Sequence, residues 1–245
     1  MDGEKKSVAI VYFGLLRSLS SVYKSHYENI FNILNENNFD YKIFIHTWKT
    51  IDDKQRIWDK ESDIKQNYEQ HKLLKPHKYT IDNQEEFIDN VDFSKYFYKD
   101  VFEKFGQTKN GGEWFPYLIK NHLCELESQK RGFKMVLLDK INFDYVMFIR
   151  PDVRFENKFP HDMIGHLEIN KNAILIPNHS HFDGINDQFA MINYNNSHHY
   201  ANRIDGIADY RKENGRIVAE EYVKYIVNKH YTSHFINLKY NLIRV

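Results

Sequence analysis

Ser7-Val8-Ala9-Ile10-Val11-Tyr12-Phe13-Gly14 is an apolar run closed by a glycine. It reads as a strand buried on both faces and followed by a tight turn. The period then changes. Val22, Tyr23, Tyr27, Ile30, Phe31 and Leu34 fall on one helical face across residues 20–37, and Asn37-Asn38 stops that helix. Tyr41-Lys42-Ile43-Phe44-Ile45-His46-Thr47-Trp48 returns to β-branched and aromatic residues, the composition of a second strand. Strand, helix and strand in this order form a βαβ unit, which predicts parallel pairing and a right-handed crossover.

The same alternation continues along the chain. Phe143-Asp144-Tyr145-Val146-Met147-Phe148-Ile149-Arg150 is a third strand, cut off by Pro151. Ala173–Pro177 reads as a fourth strand, Gln188–Ile192 as a fifth, and Phe235–Leu238 and Leu242–Val245 as the last two. Helices are expected over 113–131, 197–213 and 219–229, the first with Leu118, Ile119, His122, Leu123 and Leu126 on one stripe. Residues 50–112 are less regular. Lys54–Leu74 is polar and reads as helical, His77–Ile81 as a short strand, and 84–105 as helical or irregular. Gln107–Gly112 is a polar, glycine-bearing loop of the kind that forms a mobile lid. With no repeat and no Pro/Gly/Ser-rich linker, the pattern predicts a single α/β domain with a mostly parallel central sheet flanked by helices.

Composition narrows the function classes. A length of 245 residues suits one large domain or two small ones. Apolar residues at 42% and charged residues at 28% exclude a disordered chain. No stretch approaches the roughly 18 apolar residues of a membrane span. Thirty-four basic side chains balance thirty-four acidic ones, without the basic excess that a bulk polyanion such as DNA normally calls for, so no nucleic-acid partner is expected. The single cysteine, Cys124, excludes an intramolecular disulfide and a multi-cysteine zinc site. The polar start, Met1-Asp2-Gly3-Glu4-Lys5-Lys6, shows no secretory leader, so a cytoplasmic location is expected.

Three segments can carry chemistry. Ligands of open α/β sheets sit beyond the carboxyl ends of the strands, which is where Ile149-Arg150-Pro151-Asp152-Val153-Arg154-Phe155 places Asp152. This acid can offer a hard oxygen to a divalent cation, with Arg150 and Arg154 able to neutralise phosphate; the plainer alternative is a Pro-Asp turn. Gly14-Leu15-Leu16-Arg17-Ser18 follows the first strand, so Gly14 can turn toward an anion and Arg17 can grip it, although an ordinary β-to-α turn would look the same. No Gly-x-Gly-x-x-Gly or Gly-x-x-x-x-Gly-Lys is present, so dinucleotide and P-loop sites lack their fingerprints. Pro177 to Phe189 contains His179, His181, Asp183 and Asp187. The histidines are candidate metal ligands, and Asp187 is the first candidate base with Asp183 second; the alternative is an Asx turn at Asp183-Gly184. Trp48, Trp58 and Trp114 can stack on a sugar or base, or simply fill the core.

Taken in order, these segments resemble GT-A-type, nucleotide-sugar-dependent glycosyltransferases of large DNA viruses and bacterial polysaccharide clusters. The likeness rests on Gly14-Leu15-Leu16-Arg17-Ser18, Asp40 to Trp48, Phe143 to Asp152, Asp183 to Ala190 and Ala219-Glu220-Glu221-Tyr222. It spans most of the chain except about residues 50–110. The resemblance implies a GT-A-like fold, with a nucleotide-binding half over 1–112 and a metal and acceptor half over 113–245. It implies transfer of a hexose or pentose from a nucleotide-diphosphate sugar, UDP-linked by expectation, to a glycan, glycoprotein or other hydroxyl acceptor. It also implies Mn²⁺ or Mg²⁺. The family holds its ion with Asp-x-Asp, whereas this chain reads Arg150-Pro151-Asp152, so only Asp152 matches. Asp152, His179 and His181 are the metal candidates, Asp187 and Asp183 the catalytic ones. Gly14, Arg17, His46, Arg150, Asp152 and Arg154 are expected around the donor. The other readings are a metal-dependent hydrolase or phosphatase using Asp152, Asp183 and a histidine, and a noncatalytic carbohydrate-binding domain.

Overall fold

The computed structural model describes residues 5–51, 54–57, 60–96, 116–214 and 216–244. Seven strands form one sheet. They are β1 (Lys6–Phe13), β2 (Phe39–Lys49), β5 (Lys78–Asn83), β6 (Tyr145–Ile149), β8 (Ala173–Pro177), β9 (Phe189–Asn193) and β10 (Thr232–Ile236). Across the sheet their order is β10-β8-β9-β6-β1-β2-β5. β1 lies between β2 and β6 and runs parallel to both, as the βαβ reading requires. β2 and β5 are parallel, and so are β8 and β10. β9 alone is antiparallel to its neighbours β6 and β8.

The central strands β1, β6, β8 and β9 are buried on both faces, which is why they are largely apolar runs. Strand side chains alternate between faces. Val8, Ile10 and Tyr12 of β1 join Met147, Ile149, Leu175 and Met191 in one core, packed with the helix that follows β1. Ala9, Val11 and Phe13 join Val146, Phe148, Ile174 and Ile192 in the other. That second core packs on α3 (Pro116–Leu138), with Ile119, Leu123, Leu126 and Phe133 inward. Each of these fully buried aliphatic side chains contributes about 1.5–3 kcal/mol relative to exposure.

The helix after β1, α1, runs over 19–36 as Leu19–His26 and Asn32–Glu36 with a π-helical turn at Tyr27–Phe31 between them. Asn38, at φ 61°, turns the chain from α1 into β2. The expected helix over Lys54–Leu74 is not formed. The backbone instead makes a hairpin, β3 (Lys54–Ile57) with β4 (Lys60–Lys65), and then a 3₁₀ turn, Tyr68–Leu74. This polar stretch has no apolar stripe at helical spacing, so no tertiary burial selects a helix there. α2 (Gln84–Asp89) covers the start of the expected helical or irregular stretch. The expected lid at 107–112, and Trp58 and Trp114, lie outside the described residues.

The segment expected to be helical over 197–213 is broken into α5 (His198–Ala201), a 3₁₀ turn at Arg203–Asp205 and α6 (Ile207–Asn214). Upstream, α4 spans Ile164–Ile169, and downstream α7 spans Ala219–His230. A small antiparallel ribbon pairs β7 (Val153–Phe155) with β11 (Tyr240–Leu242) and returns the C-terminal segment to the end of β6. Among the described residues, no helix is long and apolar enough to cross a membrane.

Candidate active site

The edge of the sheet where β1 and β6 finish is also where the antiparallel β9 begins, because Ile149 pairs with Phe189. The polar residues after β1 and β6 therefore meet those before β9. A cleft of about 370 Å³ opens at this edge, and Gly14, Arg17, Arg150, Asp152, Asp187 and Arg244 are among the residues that line it. This is the sheet edge at which open α/β folds bind ligands.

Asp152 is 1% exposed and surrounded by guanidinium groups. Arg150 donates to both of its oxygens, Nε to Oδ1 at 3.0 Å and Nη2 to Oδ2 at 2.8 Å. Arg17 Nη2 donates to Oδ2 at 3.2 Å, and Arg244 Nε stands 4.0 Å from the same atom. Burial opposes charge on Asp152, but the Arg150 guanidinium, supported by Arg17 and Arg244, holds its carboxyl well below the usual carboxylate range. Burial and the neighbouring Arg150 charge lower the pKa of Arg244. Three cations thus converge on one carboxylate, an arrangement suited to an anionic ligand.

Each arginine is placed by a different element. Arg150 continues from β6, and its backbone N–H donates to the Gln188 carbonyl at 3.0 Å. Arg17 lies in the turn between β1 and α1. Gly14, at φ 93°, begins that turn in a conformation that favours glycine, and its N–H donates to Ser128 Oγ at 2.8 Å. Arg244 arrives by the β7–β11 ribbon, where Ile243 N–H donates to the Asp152 carbonyl at 2.8 Å.

Two further acids face the same space. Glu125 of α3 accepts from Arg150 Nη1 at 3.4 Å and lies 4.0 Å from His122 Nδ1. Burial opposes its charge, but Arg150 and His122 bring its pKa down to about 2. Asp187, 5% exposed, is shifted the other way, because burial and the neighbouring Glu125 charge outweigh Arg150. Its Oδ1 accepts no hydrogen bond from the described residues. His122, Glu125 and Asp187 each offer a ligand atom within 4.8 Å of the other two.

The structure thus brings Gly14, Arg17, Arg150, Asp152 and Asp187 into one cleft. Other residues that the sequence singles out stand apart from it. His46 is buried behind the Gly14 turn, with Nδ1 2.7 Å from Ser128 Oγ and Nε2 3.2 Å from Asp82. Arg154 is exposed on β7 and donates to the Ser21 carbonyl at 3.3 Å. His179 Nε2 donates to the Leu238 carbonyl at 3.0 Å, and His181 Nδ1 accepts from Asn186 N–H at 3.2 Å, so both histidines hold the loop before β9. Asp183 is exposed at φ 67°, as in the Asx-turn alternative. Trp48 lines the cleft but is 1% exposed, with its indole N–H bonded to the Cys124 carbonyl at 2.9 Å.

His122, Glu125 and Arg244 do not stand out as site residues in the sequence. His122 fits the apolar stripe of α3, Glu125 reads as a helix-surface acid, and Arg244 follows a short terminal strand. The i, i+3 spacing of His122 and Glu125 is the one usable signal.

No family model matches the chain, and no curated protein sequence matches it. Among solved structures it is similar to the mannosyltransferase Ktr4p from S. cerevisiae, at 10% identity over 97% of this chain and 70% of that one, with a TM-score of 0.49. It is also similar to the glycosyltransferase GlyE in Streptococcus pneumoniae TIGR4, at 15% identity over 95% of this chain and 45% of that one, TM-score 0.41. Mouse xyloside xylosyltransferase 1 aligns at 10% identity over 94% of this chain and 84% of that one, TM-score 0.43. The chain spans less than half the length of GlyE.

Proposed function

We propose that this chain is a glycosyltransferase whose cleft binds a nucleotide-diphosphate sugar and passes the sugar to a hydroxyl acceptor. The observation that carries this reading is the convergence of Arg17, Arg150 and Arg244 on Asp152 at the C-terminal ends of β1 and β6. A diphosphate supplies the negative charge that this wall lacks, and guanidinium forks match phosphate oxygens bidentately. The order of the Arg150-Pro151-Asp152 and Asp187-Gln188-Phe189-Ala190 segments supports the same donor class.

In this reading, the bond from the sugar's anomeric carbon to the diphosphate oxygen breaks as a bond to the acceptor oxygen forms. Negative charge grows on the leaving diphosphate, where the arginines stabilise it more than they stabilise the ground state. Asp187 takes the acceptor's proton if configuration inverts. Its unpaired Oδ1 and its resistance to ionisation both suit it to that step. Both Asp152 oxygens already accept from guanidinium groups, and the two loop histidines are engaged elsewhere, His179 with the Leu238 carbonyl and His181 with the Asn186 N–H. These residues therefore do not fit a divalent ion at Asp152, and arginine charge takes the place of the family's ion beside the diphosphate.

The test is a panel of nucleotide sugars, followed by thermal stability and then by acceptor-dependent release of nucleoside diphosphate, with and without a chelator. One donor is expected to stabilise the protein and to turn over. Cleavage of generic phosphate esters without donor preference would instead favour a hydrolase. Glycan binding without release of nucleoside diphosphate would favour a noncatalytic module.

A further inference from the structure

His122 and Glu125 sit at i and i+3 of α3 and line the same cleft as Asp187, which reaches it from the loop before β9. One atom from each of the three lies within 4.8 Å of the others. The His122 side chain is 2% exposed and that of Glu125 19%. Arg150 and the buried Arg203 offset part of the charge on Glu125 and Asp187, but neither donates to Asp187 Oδ1. Arg150 Nε and Nη2 are committed to Asp152, and only Nη1 reaches Glu125, at 3.4 Å. The other Glu125 oxygen faces His122, and Asp187 Oδ1 accepts nothing from the described residues. Two carboxylates and an imidazole surround a common gap, and a buried carboxylate oxygen left without a hydrogen bond there is costly unless a further group fills its place.

We propose that His122, Glu125 and Asp187 bind a divalent transition-metal ion in the wall of the cleft. The donor set favours an ion of intermediate softness: one imidazole nitrogen disfavours Mg²⁺ and Ca²⁺, and two carboxylates disfavour Cu⁺. Zn²⁺ should bind more tightly than Mn²⁺, following the general order of affinities at such sites. Three protein ligands would leave a further coordination position for water or a ligand, as in open zinc sites. The site is distinct from Asp152, whose oxygens are taken by arginine. The ion would occupy the oxygen that the transfer reading assigns to the acceptor's proton, so metal and proton compete for Asp187.

Metal binding is read without turnover, so its outcome is separable from that of the transferase reading. Protein stripped with a chelator and dialysed is titrated calorimetrically with Zn²⁺ and with Mn²⁺ at neutral pH, and Co²⁺ serves as a visible-absorption probe. One ion per chain is expected, with Co²⁺ bands that Zn²⁺ displaces. His122→Ala and Asp187→Asn should each weaken Zn²⁺ binding by about tenfold or more, one factor of ten being about 1.4 kcal/mol. His199→Ala removes a histidine from the surface stack with His198 and His230 and controls for adventitious binding. It should leave the high-affinity site unchanged. Circular dichroism checks each fold, and the near-isosteric Glu125→Gln carries the same comparison if His122→Ala does not fold. The proposal is overturned if wild-type protein binds no ion, or if binding survives the cleft substitutions and is lost with His199→Ala.

Discussion

Arg17 and Asp152 are 135 positions apart in sequence, yet their side chains meet at 3.2 Å inside the cleft. The contact links the turn after β1 to the turn after β6, and these strands are parallel neighbours with Tyr12 opposite Ile149. Parallel pairing brings the two strand exits side by side, so two polar turns that are unremarkable separately form one charged wall.

Asp152→Asn keeps the shape and removes the charge that balances three arginines. Breaking one side of a buried ion network costs about 3–5 kcal/mol. The expected result is a loss of that order in urea unfolding, together with loss of transfer. A variant as stable as wild type would show that the arginines find their counter-charge elsewhere.

Arg17→Lys retains the charge but loses the planar fork. Its contact with Asp152 runs through one terminal nitrogen, so the fold should tolerate lysine. Affinity for a nucleoside diphosphate should fall about tenfold, or about 1.4 kcal/mol, measured by calorimetry. Unchanged affinity would remove Arg17 from the donor site.

Much of this frame was legible in the sequence, for definite physical reasons. β1, β6 and β8 are largely apolar because the centre of the sheet is buried on both faces, and Gly14 and Pro151 mark the exits of β1 and β6. The direction of β9 was not legible, since a five-residue apolar run looks the same in either sense. That direction nonetheless brings Asp187 to the arginine wall. His122 and Glu125 stayed hidden because their α3 positions are ordinary for an amphipathic helix; only the arrival of Asp187 distinguishes them. The loop histidines had the opposite outcome. Conspicuous in sequence, they are used for hydrogen bonds that shape the turn.

His26 gives the pH dependence of stability. It is buried, Tyr12 hydroxyl lies 2.7 Å from its Nδ1, and its Nε2 donates to the Val153 carbonyl at 2.7 Å. Burial lowers its pKa from 6.5 to about 4. Between those values the unfolded chain binds the extra proton, so the stabilisation is complete above pH 6.5 and is lost as pH falls toward 4. The slope for one such group approaches about 1.4 kcal/mol per pH unit. His46, also lowered to about 4 by burial, acts in the same direction. Urea unfolding from pH 7 to 5 should show the loss, and His26→Gln should reduce it by about half, leaving the part due to His46. An unchanged slope in that variant would clear His26 of the effect.

Gly184→Ala tests the loop that carries Asp187. A Cβ at this position would lie 2.1 Å from the Glu220 carbonyl carbon, at the start of α7, while Ile185 N–H donates to the Glu220 carbonyl at 2.9 Å. The loop must therefore move away from α7. Overpacking of this kind costs about 1–3 kcal/mol, measurable by urea unfolding. Transfer should fall more than donor affinity, because the donor's arginines lie on other segments. Wild-type stability would mean that α7 shifts at little cost.

Asp187→Asn separates catalysis from folding more sharply. The substitution preserves the shape of the side chain but removes a buried negative charge beside Glu125, where Oδ1 accepts no hydrogen bond from the described residues. Burial and Glu125 together oppose that charge more than Arg150 supports it, so urea unfolding at pH 7 should give a stability equal to or above that of wild type. The amide cannot accept the acceptor's proton, and kcat should fall by roughly 10²–10⁴, the usual contribution of a positioned general base. Donor affinity should hold, because the diphosphate is assigned to the guanidinium groups of Arg17, Arg150 and Arg244 and not to Asp187. Stable, donor-binding protein with collapsed turnover is the pattern of a residue kept for chemistry at some expense in folding. A parallel fall in donor affinity would move Asp187 from the acceptor to the donor, and a large loss of stability would make it a structural acid.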